Sequence, residues 1–198
     1  MLHDMSKFHQ MIVISAPSGA GKTTICNLLI KQNKNFIISV SATTRPPRPT
    51  EKNEIDYFFI SENEFWKKVN NQEFLEYESV HGYYYGTLKS QVNNLLEKGY
   101  FVIFDIDVNG ALTIKRKYPK SILVFLKPPS IEELRKRLIK RKSDNEDEIE
   151  KRLQRLPREY EKAEYFDYIV INKKLNKTVE EIEKIIKENQ KEYINVSN

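Results

Sequence analysis

The chain has 198 residues, a net charge of +5 and an isoelectric point of about 9.0, and 11% of its residues are aromatic. Its single cysteine, Cys26, excludes a disulfide framework and a cysteine-rich zinc module, and its apolar runs are far shorter than the roughly 20 residues of a membrane span. The opening segment MLHDMSKFHQ lacks the apolar stretch of a secretory signal, so we expect a cytoplasmic protein with no membrane partner.

Apolar runs rich in β-branched residues alternate along the chain with amphipathic helical patterns. The predicted strands are Met11–Ser15, Phe36–Val40, Tyr57–Ile60, Tyr100–Ile106, Ile122–Leu126 and Tyr168–Ile171. The predicted helices are Lys22–Gln32, Glu62–Asn70, Leu88–Glu97, Ser130–Lys142, Glu146–Leu156 and Thr178–Tyr193. This alternation is typical of an α/β fold in which helices cover both faces of a central parallel sheet.

Two segments interrupt the alternation. Residues 41–91 are rich in Thr, Pro, Tyr, Asn and Glu and contain short strands, which indicates an inserted lobe of mostly antiparallel strands. Residues 133–155 are charged throughout and have few apolar positions, a pattern typical of a helical lid, although a plain surface helical hairpin fits it equally well. We therefore predict a core formed by residues 1–40, 92–132 and 156–198, with the lobe and the lid inserted into it.

The first predicted strand runs into a glycine-bearing turn. Its sequence is Ala16-Pro17-Ser18-Gly19-Ala20-Gly21-Lys22-Thr23-Thr24. This fits the Walker A pattern G-x-x-x-x-G-K-[ST], except that Ala16 replaces the leading glycine, which is tolerable if its φ is negative. Backbone N–H groups at such a strand-to-helix turn bind phosphate, Lys22 can reach the β- and γ-phosphates, and Thr23 can bind Mg²⁺.

Three further blocks follow this turn. They are Ser41-Ala42-Thr43-Thr44-Arg45-Pro46-Pro47-Arg48, then Gly82-Tyr83-Tyr84-Tyr85-Gly86-Thr87, then Asp105-Ile106-Asp107-Val108-Asn109-Gly110. Together with the turn, and over residues 11–172, they closely resemble the guanylate kinase family. The resemblance implies a P-loop three-layer α/β fold with a central parallel sheet, a GMP-binding lobe and a lid. It also implies ATP and GMP or dGMP as substrates, with Mg²⁺ as the cofactor.

The resemblance also implies how GMP is bound. The positions that match the family's contacts to the GMP phosphate are Arg45, Arg48, Tyr57 and Tyr85. Those near the base are Ser41, Glu76, Thr87 and Asp107. A carboxylate can accept hydrogen bonds from the N1–H and amino group of guanine, whereas adenine would leave it facing a lone pair, and an unpaired polar group of this kind rejects the wrong base. Asp107 or Asn109 could instead cap a helix that begins near Gly110.

For catalysis the resemblance implies Lys22, Arg45 and three lid arginines, which are Arg137, Arg141 and Arg152. Asp105 ends an apolar strand, and its implied role is to hold Mg²⁺ through water bound to the ion. Arginine is much the rarer of the two basic residues in this chain, and five arginines occupy phosphate-binding positions of the family. The other four, which are Arg116, Arg135, Arg155 and Arg158, are interpreted as surface charge.

Two alternatives to a guanylate kinase are a kinase with another acceptor and a binding module without catalysis. A kinase for another nucleoside monophosphate would not need Ser41 and Glu76, and a non-catalytic guanylate-kinase-like module would not need an intact Gly21-Lys22-Thr23. The net charge of +5 alone does not indicate nucleic-acid binding, since no RNA- or DNA-binding module is recognisable. The sequence is compatible with a monomer or a homodimer.

Overall fold

The computed structural model describes residues 10–80, 82–140 and 146–196, with side chains in the last range through residue 191. The strands are β1 (Met11–Ser15), β2 (Phe36–Ile38), β3 (Ala42–Thr43), β4 (Phe58–Phe59), β5 (Phe74–Val80), β6 (Tyr83–Leu88), β7 (Phe101–Asp105), β8 (Ile122–Lys127) and β9 (Tyr168–Ile171). The helices are α1 (Lys22–Gln32), α2 (Glu62–Asn70), α3 (Lys89–Glu97), α4 (Val108–Lys117), α5 (Ile131–Lys140), α6 (Glu146–Leu153), α7 (Leu156–Ala163) and α8 (Leu175–Val196).

A five-stranded parallel sheet forms the centre of the molecule, in the order β2-β7-β1-β8-β9. Every residue of β1 is buried, because helices cover both faces of the sheet. One face packs against α1 and α8 through a cluster that includes Ile25, Leu29 and Ile182, and the other packs against α3 and α4. The α/β fold with a central parallel sheet is confirmed.

A second, four-stranded sheet lies within residues 41–91, in the order β4-β3-β6-β5. The β3–β6 and β5–β6 pairs are antiparallel, and the short β3–β4 pair is parallel. Helix α2 packs on this sheet through Phe65, whose ring stacks on Phe74 at 4.7 Å and on Tyr84 at 5.5 Å between centroids. The mostly antiparallel lobe expected from the sequence is therefore present.

Two helices are additional to the six predicted ones, and the first of them is the helix considered near Gly110. Helix α4 begins directly after Asp107, whose carboxylate accepts hydrogen bonds from the N–H groups of Asn109 and Gly110. Helix α7 contains Pro157 in its first turn, where the missing N–H breaks no helical hydrogen bond. Pro157 thus starts a new helix, whereas the prediction ran a single helix from Glu146 to Leu156.

The fold places its chemistry at the carboxyl ends of the parallel strands, as expected for an open α/β sheet. The turn after β1 and the carboxylate at the end of β7 are neighbours there, since β1 and β7 pair with Ile14 opposite Asp105. Within the described ranges, no helix combines the length and the apolar character that crossing a bilayer would require.

Candidate active site

The turn between β1 and α1 has the backbone of a phosphate-binding loop. Gly19 and Gly21 have φ angles of 91° and 96°, which residues with a Cβ rarely adopt. A Cβ on Gly21 would also lie 2.6 Å from Nδ2 of Asn172. Ala16 is not among the described residues with positive φ, so alanine replaces the usual glycine there without strain. Gly21 precedes Lys22 at the start of α1, which directs the amino end of this helix at the turn.

Lys22, Thr23 and Asp105 form one cluster beside the turn. The Lys22 ammonium lies 2.7 Å from Oδ1 of Asp105 and donates a hydrogen bond of 2.8 Å to the Ile106 carbonyl. The Thr23 hydroxyl donates to Oδ2 of Asp105 at 2.8 Å. Burial alone would lower the pKa of Lys22, but the charge and hydrogen bond of Asp105 outweigh it, so the net pKa is raised and the side chain stays cationic.

A cleft of about 300 Å³ opens above this cluster. Its lining includes the turn, Asp105 and Asp107, together with Val80 from the end of β5 and Arg152 from the lid. The lobe, the core and the lid therefore meet at one cavity. Oxygen donors from Thr23 and Asp105 stand beside it, which is the ligand chemistry that Mg²⁺ prefers.

The lid arginines lie in different places. Arg152 donates to the Ser18 hydroxyl of the turn. Arg137 donates to the main-chain carbonyls of Ala20 at 3.4 Å and Asn172 at 3.2 Å and pairs with Glu133 at 3.0 Å, so it holds the outer side of the turn. The predicted Arg141 lies outside the described residues.

The two arginines of the lobe differ in exposure. The Arg45 guanidinium donates to Oε1 of Glu51 at 2.9 Å and lies over the Tyr57 ring at 5.4 Å. Only 13% of its side chain is exposed, whereas 73% of the Arg48 side chain is exposed. The Arg48 N–H nevertheless donates to Oε2 of Glu51 at 2.8 Å, so one carboxylate holds the segment that bears both arginines.

Tyr57 and Tyr85 stand on neighbouring parts of the lobe, with their rings 6.0 Å apart in an edge-on arrangement. Burial raises the pKa of the Tyr57 hydroxyl, and the negative charge of Asp105 adds to this. The charges of Asp105 and Lys22 thus act on the Tyr57 hydroxyl.

Glu76 is buried within the lobe, at the interface with the core. The Thr87 hydroxyl donates to its Oε1 at 2.6 Å, and the side of α4 at Gly110 lies against its other oxygen. Burial raises the pKa of Glu76 to about 7, an effect that the hydrogen bond from Thr87 only partly offsets. Ser41 precedes β3 and its carbonyl accepts from the Phe58 N–H at 2.9 Å, so its position is fixed by strand pairing.

Comparison with known proteins decides the family. The guanylate kinase family model matches residues 8–189. A guanylate kinase from Bacteroides thetaiotaomicron is 48% identical over 181 residues, which cover 90% of this chain and 89% of the relative. A guanylate kinase from Thermotoga maritima is 45% identical over 90% of this chain and 86% of its own. This chain belongs to the guanylate kinase family.

Solved structures agree with this membership. A crystal structure of guanylate kinase from Anaplasma phagocytophilum superimposes with a TM-score of 0.74 at 30% identity, covering 91% of this chain and 85% of that one. A shikimate kinase from Bacteroides thetaiotaomicron has a TM-score of 0.51 at 14% identity, over 89% of this chain and 98% of that one, and shares the fold alone. The predictions of the fold and of a guanylate kinase family enzyme are confirmed.

Two residues line the cleft although the sequence did not indicate a place for them there. Arg155 and Glu159, one helical turn apart at the start of α7, both line the phosphate cleft. Burial raises the pKa of Glu159 to about 7, although Arg155 and Lys22 oppose the shift, and its Oε2 is buried without a hydrogen-bond partner. Their spacing of four residues indicates a shared helix face, but it does not indicate that this face lies at the cleft.

Arg135 and Arg155 lie at the surface, as interpreted, but each has a further role there. Arg155 lines the cleft, and Arg135 on α5 pairs with Glu150 on α6, which joins the two lid helices. Asp107 both lines the cleft and caps α4, so the capping role considered for it is present. Its predicted contact with the base stays a prediction.

Proposed function

We propose that this protein transfers the γ-phosphoryl group of ATP to GMP or dGMP, which gives ADP and GDP or dGDP. The observation that carries the proposal is the buried Glu76 carboxylate of the lobe, which accepts a hydrogen bond from Thr87 and lies against α4. The capping residue of α4, Asp107, lines the cleft above the Lys22 turn. A buried carboxylate suits the hydrogen-bond donors of guanine, and the Lys22 turn suits a polyphosphate. Family membership supports the same reaction.

The donor phosphates are assigned to the turn formed by residues 16–24. Its backbone N–H groups and the amino end of α1 attract the anion, and Lys22 neutralises charge on the transferring group. Arg152, already bonded to Ser18, and Arg141 supply further positive charge from the lid. We include Arg137 in this set, although its guanidinium is bonded to main-chain carbonyls, since lid closure would redirect it.

The acceptor is assigned to the lobe. Arg45, Arg48, Tyr57 and Tyr85 would bind the GMP phosphate, and Glu51 holds the arginine segment until that anion arrives. Ser41, Glu76, Thr87 and Asp107 are assigned to the base. The attacking atom is already an anionic phosphate oxygen, so the reaction needs positioning and charge neutralisation rather than a strong general base.

Mg²⁺ is part of the proposal as the cofactor. Thr23 would bind the ion directly, and Asp105 would hold it through bound water. Among the described residues, no group of three or more His, Cys, Asp or Glu side chains could hold a metal by itself, which fits an ion bound mainly by substrate phosphates. When bound, Mg²⁺ would neutralise phosphate charge and help to orient the polyphosphate of ATP for in-line transfer.

We propose a separate role for each of three parts of the protein. Residues 41–91 bind the acceptor, residues 133–155 close over the donor, and residues 1–40, 92–132 and 156–198 form the core. Closure removes water that would otherwise take the phosphoryl group. We propose a cytoplasmic enzyme, monomeric or homodimeric, with neither nucleic acid nor membrane as a partner.

A substrate panel tests the reaction. Release of ADP from ATP is measured with GMP, dGMP, AMP, dTMP and UMP as acceptors, in Mg²⁺ and in EDTA. We expect turnover with GMP and dGMP in Mg²⁺ alone. Preference for another acceptor would favour a kinase for a different nucleotide, and no turnover with any acceptor would favour a binding module.

The affinity for GMP should increase as the pH rises through about 7. The pKa of Glu76 is about 7, so below this pH the carboxyl group carries a proton and cannot accept from both guanine donors. The expected effect is about tenfold per pH unit below the pKa and a plateau above it. Calorimetric titration from pH 6 to 8.5 measures it, with Glu76→Gln as the control.

In Glu76→Gln the Glu76 step should vanish, leaving only the shallower dependence from the GMP phosphate, which itself titrates near pH 6. A wild-type profile that coincides in shape with that of the variant would contradict the assignment of Glu76 to the base.

A further inference from the structure

We infer that Gly110, in the first turn of α4, is a specificity-determining residue, because its missing side chain leaves the space that the Glu76 carboxylate occupies. The inference rests on the proposed role of Glu76 in binding guanine. Gly110 itself would touch neither substrate and would act only by positioning Glu76.

The space at Gly110 is too small for any side chain. A Cβ built there would lie 2.6 Å from Oε2 of Glu76, 3.2 Å from its Cδ and 3.3 Å from Cδ1 of Ile106. Contacts below 3.0 Å do not occur between a Cβ and a neighbouring heavy atom, so one of the two partners would have to move. The smallest substitution, to alanine, already creates this conflict.

Gly110 is not there for conformational freedom. Its φ is not among the positive values of the described glycines, which are those of Gly19, Gly21, Gly82 and Gly99. It lies in a regular helix, where glycine is a much poorer helix former than alanine. The glycine at position 110 weakens its own helix and uses no special backbone angle. We therefore explain it by the space that it leaves for the Glu76 carboxylate.

A hydrogen bond joins this helix to the strand that bears Glu76. At the end of α4, the Lys117 ammonium donates to the carbonyl of Leu75 at 2.6 Å, directly beside Glu76 on β5. The start of α4 is capped by Asp107, whose carboxylate accepts from the Gly110 N–H at 3.1 Å. Moving α4 away from β5 to make room for a methyl group on Gly110 would therefore strain the Lys117 bond.

The carboxylate is therefore the group that would yield. Glu76 is 4% exposed, and Thr87 holds its Oε1 at 2.6 Å. Pushing Oε2 from its position would lengthen that bond and turn the carboxylate away from the base. A misplacement of about 1 Å in a positioned group costs about 100-fold in rate, so we expect Gly110→Ala to lower kcat/KM for GMP by about that factor.

The test compares Gly110→Ala with a matched control on the same helix, Thr113→Ala, and with Glu76→Ala. We expect Gly110→Ala to raise KM for GMP, with KM for ATP and calorimetric ADP binding within about twofold of wild type. Thr113→Ala should leave both substrates unaffected, because the hydroxyl of Thr113 accepts a hydrogen bond from the guanidinium of Arg116, a residue with no assigned role in substrate binding.

A double variant isolates the route of the effect. Gly110→Ala combined with Glu76→Ala should be no worse for GMP than Glu76→Ala alone, since the carboxylate is gone and the one contact left for the methyl group is Cδ1 of Ile106 at 3.3 Å. If Gly110→Ala alone fails to fold, the double variant, which has room for the methyl group, should fold. Additive losses, an equal loss for ATP, or a double variant that also fails to fold would each overturn the inference.

The outcomes separate this inference from the proposed function. If Glu76→Ala leaves GMP use intact, the assignment of Glu76 to the base fails. If Glu76→Ala damages GMP use and Gly110→Ala does not, only the role of Gly110 fails.

Discussion

Glu76→Gln should weaken GMP binding by about 100-fold or more, with ATP binding changed by less than about twofold. The ionised carboxylate would accept two hydrogen bonds from guanine, each a charge-assisted bond whose loss costs about 1.5–3 kcal/mol. The neutral amide offers one oxygen and turns two N–H groups toward a base edge that is itself a donor. The P-loop and Asp105 do not contact Glu76, so the donor site should be unchanged.

The measurement is isothermal calorimetry at pH 8, above the pKa of about 7, where wild-type Glu76 is ionised. Titrations with GMP and with a non-hydrolysable ATP analogue are compared. Glu78→Gln is the matched control, because it removes the same charge two residues along β5 from a side chain that accepts a hydrogen bond from the Ser79 N–H. Equal losses for both nucleotides would refute the assignment of Glu76.

Glu76 also shows where sequence reasoning stops. Composition cannot choose among Glu73, Glu76 and Glu78, which lie close together along the chain. The choice is made by an irregularity in β5, where the register shifts between Phe74 and Glu76. Three consecutive residues, from Phe74 to Glu76, are buried there, which breaks the alternation of a regular strand. Before the structure, only the family resemblance distinguished Glu76, which is the buried carboxylate of this strand.

The phosphate-binding turn was the most predictable part of the site, because its signal is local. The glycines, lysine and threonine lie within nine consecutive residues between an apolar strand and a helix. The contribution of each one to phosphate binding follows from its own chemistry. The position of Asp105 was predictable from the sequence for a similar reason, since a carboxylate at the end of a buried parallel strand faces the ligand crevice.

Contacts between distant segments were not predictable. The space at Gly110 is meaningful only once α4 lies against Glu76, which is 34 positions earlier in the chain. Arg155 and Glu159 line the cleft because the first turn of α7 lies beside it, and no local pattern fixes where that helix lies relative to the turn after β1. The ion pair of Arg135 was not predictable because its partner, Glu150, belongs to the next helix.

Lys22→Ala should lower kcat by at least about 1,000-fold while the protein stays folded. Removing one preorganised donor from a transition-state charge site costs about 100- to 1,000-fold, and Lys22 also brings a full positive charge. The fold should survive, because Asp105 keeps its hydrogen bond from Thr23 and faces an open cleft where water can solvate it. The expected loss of stability is about 1 kcal/mol.

The lysine variant is best judged by two measurements made on the same preparation. ADP release at saturating ATP and GMP gives kcat, and urea unfolding gives the free energy of unfolding. Lys31→Ala is the control, since it removes an equal charge from the last turn of α1, far from the cleft. Turnover near the wild-type rate would show that Lys22 does not stabilise the transferring phosphoryl group. A large loss of stability would instead show that the Lys22–Asp105 pair holds the β1 and β7 ends together, and that the turn is a structural device before it is a catalytic one.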